Sequence, residues 1–182
     1  VLCKRFKIMF QVNVDDFKNI GFTYCDLSQR VPDRFDKFTY TNATNGSATV
    51  IDPNADRLMR KLQRIVTEWV IRPHYKDVQQ IGYDMWQGVP PDLKYFHNDF
   101  TDHKKSHNSN VFIFIDECSG DNMNFLEVRA GLDEFYQVIP NKHDLIWLNQ
   151  SEQFTYKMIH KTGKNRILNF RYYINGLDNQ TN

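Results

Sequence analysis

Apolar residues recur at three- and four-residue steps in one long stretch of the chain. Asp52 and Pro53 stand at its start, a pairing typical of a helix N-terminus, and Pro73 follows its end. Between them lies a single apolar stripe formed by Leu58, Leu62, Ile65, Val66, Trp69 and Val70. This spacing predicts a helix over about residues 53–71 whose stripe packs on a sheet.

From residue 78 onward the pattern changes to short apolar or alternating runs, separated by Gly, Pro, Asn and Asp. Such runs are typical of β-strands. They cover residues 78–86, 94–100, 110–116, 124–129, 135–139, 144–148, 154–160 and 165–174. Short strands at near-regular spacing predict a mainly β barrel or sandwich, with the helix laid outside it.

The N-terminal part is less regular. Residues 7–14 mix apolar and polar positions and predict a first strand, and residues 22–25 predict a short extended piece. Residues 28–47 are polar and interrupted by Pro and Gly, which favours a long surface loop or lid. The 182 residues are most simply one domain, with a core over about 78–174 supported by residues 1–77.

Composition excludes several classes of protein. The net charge is +1 with charges spread along the chain, which is not the basic stripe of a nucleic-acid binder. No apolar run reaches the roughly 20 residues that span a bilayer, and no signal-peptide core is visible at the start. Cys3, Cys25 and Cys118 are far apart, so neither a disulfide framework nor a Cys-x-x-Cys site is expected. A cytoplasmic protein is therefore the default expectation.

The tripeptide His97-Asn98-Asp99 is the candidate chemical centre. On an extended segment, side chains two residues apart point to the same side, so His97 and Asp99 form a two-point clamp for a divalent metal. One more imidazole would complete the two-histidine, one-carboxylate site of non-haem Fe(II) oxygenases. The alternative is a hydrogen-bonded surface pair. His103 and His107 lie in a polar loop and are expected to be solvated, although either one could replace a missing ligand.

The order of these features resembles the double-stranded β-helix (jelly-roll) of Fe(II)- and 2-oxoglutarate-dependent oxygenases, the prolyl-hydroxylase-like superfamily. In that family an early strand carries His-x-Asp, a later strand the second histidine, and the last core strand an arginine or lysine. The matching parts here are His97-Asn98-Asp99, the strands at 111–115 and 124–129, the segment 139–148 and the closing strand 166–174.

The resemblance implies an oxygenase, expected to be a hydroxylase, with Fe(II) as cofactor and 2-oxoglutarate and O₂ as co-substrates. It implies oxidative decarboxylation of 2-oxoglutarate to succinate. His97, Asp99 and His160 would form the metal-binding catalytic centre, and Arg166 or Arg171 would hold the far carboxylate of 2-oxoglutarate. The primary substrate is not readable from the sequence.

Two registers remain open for the third ligand. In the first, His160 binds iron and Arg171, eleven residues later, holds the carboxylate. In the second, Arg166 holds the carboxylate and Tyr156, ten residues earlier, stands where a histidine is expected. The first is preferred, because His160 is the only histidine late enough in the chain.

Two alternatives belong to other classes of protein. One is a non-catalytic jelly-roll binding or structural protein with a degenerate metal site. The other is a cupin-like isomerase or dioxygenase with a different metal set. Cupins generally draw more histidines from the first metal-bearing strand, where this chain has only His97.

Overall fold

The computed structural model describes residues 11–28, 41–42, 47–49, 53–87, 95–99, 106–117, 124–160 and 166–177. Within these ranges the helices are α1 (Val14–Asn19) and α2 (Pro53–Val66), and α2 continues as a π-helical turn at Thr67–Ile71. The first strands are β1 (Phe22–Asp26), β2 (Thr41–Asn42), β3 (Ser47–Thr49) and β4 (Val78–Gln87). The later strands are β5 (Ser109–Phe114), β6 (Asn124–Ala130), β7 (Glu134–Val138), β8 (Asp144–Asn149), β9 (Phe154–His160) and β10 (Arg166–Ile174).

These strands form two antiparallel sheets. The large sheet has the order β1-β8-β5-β10-β4-β3-β2, and the small sheet has the order β7-β6-β9. One apolar cluster contains residues of both sheets, so the two sheets pack face to face. Its members include Phe112, Phe114, Ile146 and Ile167 of the large sheet and Leu126, Val128, Tyr156 and Met158 of the small sheet. The predicted mainly β jelly-roll architecture is confirmed.

The predicted helix packs on the outer face of the large sheet, as its stripe indicated. Met59, Leu62 and Val66 share one buried cluster with Phe170 and Tyr172 of β10. The stripe is narrower than predicted, since Trp69 is 47% exposed. Trp69 therefore lies at the edge of the apolar face rather than at its centre.

Most predicted strands are present to within about two residues. The exception is the run 94–100, of which residues 95–99 are described. Only His97 pairs there, in a single antiparallel bridge to Tyr156. This segment is therefore held largely by side chains rather than by a β-ladder.

The N-terminal predictions are partly wrong. The predicted strand 7–14 fails where it is described, because Val14 begins α1 and the Asn13 side chain caps that helix. Residues 7–10 lie outside the described ranges. Most of the predicted loop 28–47 also lies outside them, but Thr41–Asn42 forms a strand there that pairs with β3. The extended piece at 22–25 is confirmed as β1.

Among the described residues, none of the helices is both long enough and apolar enough to cross a lipid bilayer.

Candidate metal centre

The inward face of the large sheet changes from apolar to polar along its strands. The register across β4, β10 and β5 defines three rows on this face: Trp86, Ile167 and Phe114; then Asp84, Asn169 and Phe112; then Gly82, Arg171 and Asn110. Residues opposite each other on neighbouring strands share a face, so polar groups collect at one end of the interior. This end carries the candidate centre.

The segment 95–99 is fixed against this end. His97 and Tyr156 exchange two backbone hydrogen bonds of 3.0 Å. The Asn98 side chain points the opposite way to His97 and Asp99, and its Nδ2 donates to the carbonyls of Gln150, Ser151 and Phe154. The Asp99 amide donates to Oε1 of Gln150 at 3.0 Å. Side-chain hydrogen bonds thus take the place of the missing ladder.

His97 and Asp99 point to the same side, and His97 Nε2 lies 3.4 Å from Asp99 Oδ1. Nδ1 of His97 lies 2.7 Å from the carbonyl oxygen of Tyr95. A carbonyl oxygen only accepts, so Nδ1 carries a hydrogen and Nε2 is the nitrogen turned toward the carboxylate. A hydrogen bond from the second ring nitrogen to a carbonyl is the usual support of a metal-binding histidine.

The other oxygen of Asp99 faces a different set of groups. Tyr156 donates its hydroxyl to Oδ2 at 3.0 Å, and Asn110 donates its amide at 2.5 Å. His107 Nε2 lies 3.6 Å from the same oxygen. Burial of Asp99 opposes its charge, but the imidazoles of His107 and His97 outweigh burial and hold the pKa of this carboxyl well below its usual range.

His107 differs from its prediction. It was expected to be solvated in a polar loop, but only 3% of it is exposed and its Nδ1 lies 2.9 Å from Oγ of Ser106. The physical reason is its position two residues before β5, where the chain already enters the core. His103 lies outside the described residues.

The two residues that compete for the third-ligand position lie on the same strand. Tyr156 is paired with His97, and the two ring centres are 4.3 Å apart. His160 is paired with Asn124, four residues further along β9. Four residues of strand correspond to roughly 13 Å. The structure brings Tyr156, His97 and Asp99 together, and the assignment of His160 as a ligand stays a prediction.

The two candidate arginines face different sides of the large sheet. Alternation along β10 places Arg166 on the side of Leu168, which faces α2, and its guanidinium pairs with Asp116 at 2.5 and 2.9 Å. Arg171 lies on the inward side and pairs with Asp84 at 3.1 Å. Its Nε is buried without a hydrogen-bond partner among the described residues. Gly82 lies under this guanidinium, since a Cβ there would approach Arg171 to 3.2 Å.

The donor chemistry fits a divalent metal at two points. Two ligand bonds of about 2.1 Å span up to about 4.2 Å, so one ion can reach both His97 Nε2 and Asp99 Oδ1. No group of three or more His, Cys, Asp and Glu side chains in the described part of the chain is arranged to hold a metal. The described residues therefore offer a divalent metal two ligands, His97 and Asp99.

Sequence reasoning missed Asn110 and Gln150. Asn110 has the same parity on β5 as Phe112 and Phe114, so the alternation already indicated that it faces inward. Gln150 follows β8, and no local pattern predicted its bond to Asp99.

Comparison of the fold with solved structures identifies its class. The chain is similar to a prolyl 4-hydroxylase from Phytophthora capsici, with 11% identity, a TM-score of 0.60, and coverage of 96% of this chain and 66% of that one. It is similar to a Trichoplax adhaerens prolyl hydroxylase solved with a peptide fragment of hypoxia inducible factor, with 10% identity, a TM-score of 0.57, and coverage of 100% and 96%.

A third similar structure is HygX from Streptomyces hygroscopicus with nickel and 2-oxoglutarate bound, with 10% identity, a TM-score of 0.56, and coverage of 90% and 86%. No family model matches the sequence, and no curated protein matches it. The chain therefore has the double-stranded β-helix fold of the Fe(II)- and 2-oxoglutarate-dependent oxygenases, as the order of its motifs predicted.

Proposed function

We propose that this chain is an Fe(II)- and 2-oxoglutarate-dependent oxygenase that hydroxylates its primary substrate. The observation that carries this proposal is the 3.4 Å approach of His97 Nε2 to Asp99 Oδ1 at the polar end of the barrel interior. Imidazole and carboxylate are the ligands typical of non-haem Fe(II), and both side chains are largely shielded from water.

Arg171 is the residue that we expect to hold the far carboxylate of 2-oxoglutarate. It is directly opposite Asn110, which in turn donates a hydrogen bond to Asp99. The Arg171 guanidinium and the metal clamp therefore lie on the same face of the large sheet. About a third of the Arg171 side chain is exposed, so a ligand entering from solvent can reach it. A guanidinium binds a carboxylate through paired hydrogen bonds. Arg166 is the less suitable candidate, since alternation along β10 turns it to the other side of the large sheet, where its guanidinium pairs with Asp116.

When bound, Fe(II) with 2-oxoglutarate and O₂ would supply the oxidising chemistry, and the protein's residues would supply orientation and exclusion of water. His97 and Asp99 would hold the metal, and the assignment of His160 as a third ligand stays a prediction from the sequence. Arg171 would orient the co-substrate. The apolar lining that excludes water from the site would be formed by Phe112, Phe114 and Trp86.

A specific observation favours a second candidate function, a non-catalytic binding protein on the same fold. Oδ2 of Asp99 accepts hydrogen bonds from Tyr156 and Asn110, an arrangement that also satisfies a buried carboxylate with no metal present.

An anaerobic titration with Fe(II) and 2-oxoglutarate tests the proposal. We expect the visible charge-transfer band of a chelated 2-oxo acid, saturating at one iron per chain, and loss of this band in Asp99→Ala and His97→Ala. His143→Asn is the control. His143 precedes β8 at the opposite end of the large sheet, and asparagine tolerates its positive φ of 70°.

Absence of the band in the wild-type protein, with no retained iron, would contradict the oxygenase and favour the binding protein. Where the band forms, Arg171→Met should weaken 2-oxoglutarate binding by about 10- to 100-fold, the value of one charge-assisted hydrogen-bonded pair. A larger loss in Arg166→Met would transfer the carboxylate role to Arg166.

A further inference from the structure

We infer that Tyr156 occupies the position of the second histidine, so that the protein holds its metal with His97 and Asp99 alone. This inference rests on the proposed function, because it specifies the metal centre of that same site. It agrees with the second register for this position, in which Tyr156 stands where a histidine is expected, and differs from the preferred one, in which His160 supplies the third ligand.

The position of Tyr156 is the first argument. It is the residue of β9 that is paired with His97, and the two rings are 4.3 Å apart. Its side chain is 1% exposed and packs among Phe112, Leu126 and Met158 between the sheets. An imidazole at this position of β9 would stand beside both members of the clamp.

The hydrogen bonding of Tyr156 is the second argument. Its hydroxyl donates to Asp99 Oδ2, so the phenol is a hydrogen-bond donor here and not an anionic ligand. Asn110 donates to the same oxygen, and His107 approaches it to 3.6 Å. Among the described residues, these three groups approach Oδ2, whereas Oδ1 faces His97. This division assigns Tyr156 and Asn110 to orienting the carboxylate and makes Oδ1, the oxygen beside His97, the ligand atom.

A two-ligand clamp has a chemical consequence. It leaves one more coordination position than a three-ligand site, and this position is accessible to water or another small monodentate ligand. The clamp is expected to bind metal more weakly than a complete two-histidine, one-carboxylate site, because one coordination bond is missing.

Co(II) binding tests this inference, since the visible absorption of Co(II) reports ligands without requiring turnover. Tyr156→His should complete the three-ligand site and tighten Co(II) binding by about a hundredfold, with a changed spectrum. Tyr156→Phe keeps the ring but removes the donor, and should weaken binding by about tenfold. An unchanged affinity and spectrum in a folded Tyr156→His protein would overturn the inference.

Two further variants keep the test decisive if Tyr156→His fails to fold. His160→Ala and His107→Ala should each leave the Co(II) affinity within about tenfold of the wild-type value, whereas His97→Ala should abolish binding. Loss of binding in His160→Ala or in His107→Ala would identify that histidine as the third ligand. The inference would then fail, and the proposed function would stand. If the wild-type protein binds no Co(II) but Tyr156→His does, the proposed function fails, and so does metal binding by His97 and Asp99 alone, although Tyr156 then still marks the position of the missing histidine.

Discussion

Asn98 shows how a single side chain fixes the candidate centre. It is 5% exposed, and its amide nitrogen reaches three carbonyl oxygens at 2.6–3.1 Å. We predict that Asn98→Ala lowers the free energy of unfolding by about 2–4 kcal/mol, because three buried carbonyls lose a donor. It should also weaken Co(II) binding, since the neighbouring ligands lose their anchor. Urea denaturation and Co(II) titration measure the two effects.

The matched control is Asn175→Ala. Asn175 also donates from its amide nitrogen, to Asp77, but it is exposed. This variant should change the free energy of unfolding by less than about 0.5 kcal/mol. Equal losses of stability in the two variants would contradict the anchoring role of Asn98.

At the residue scale, the sequence predicted what alternation along one strand can show. His97 and Asp99 point to one side because they are two residues apart, and this was predictable from their spacing. The hydrogen-bond partners of Asp99 were not predictable in this way. Tyr156 and Asn110 approach it from different sheets, and contacts between sheets depend on register and packing that no local pattern encodes. The same limit explains His107, whose polar neighbours predicted exposure.

At the element scale, long periodic segments were predicted well and weakly patterned ones poorly. α2 and the strands from β4 onward follow strong apolar periods, because each must bury one face. The predicted strand 7–14 overlaps the first residue of α1, and the rest of α1 was not predicted, because six residues are too few to show a helical period. The closing strand was placed correctly, but the partner of its first residue, Arg166, depends on the position of Asp116 at the end of β5.

The ion pair between Arg166 and Asp116 joins the start of β10 to the end of β5, and its contribution to the free energy of unfolding depends on pH. Burial raises the pKa of Asp116, but hydrogen bonds from Arg166 outweigh burial and lower it. A lowered folded-state pKa gives stability that is present above the unfolded-state pKa of about 4 and is lost as the pH falls. Asp116→Asn should therefore cost about 1–3 kcal/mol at neutral pH, and less in acid.

Urea denaturation at pH 7 and at pH 3 checks this prediction. Asp133→Asn removes an exposed carboxylate from the turn after β6, and serves as the control at both pH values. A cost for Asp116→Asn that is the same at both pH values would show that the ion pair does not contribute in this way.

At the scale of the whole molecule, Asp99 joins the two sheets through one carboxylate. Tyr156 belongs to the small sheet and Asn110 to the large sheet, and both donate to Oδ2. Metal bound at Oδ1 and His97 would stabilise this junction, because a ligand that binds only the folded state adds to its stability, by about 2.7 kcal/mol at a concentration of 100 times Kd.

We therefore predict that Mn(II) raises the Tm of the wild-type protein and slows backbone hydrogen exchange in both β5 and β9. Asp99→Asn should abolish both effects, since the amide lacks the charge that attracts the ion, whereas His143→Asn should retain them. Slower exchange in β9 alone would show that the metal does not act through the contact between Asp99 and Asn110. An equal rise of Tm in Asp99→Asn would place the bound ion elsewhere on the molecule, because the ion would then stabilise the protein without the Asp99 carboxylate.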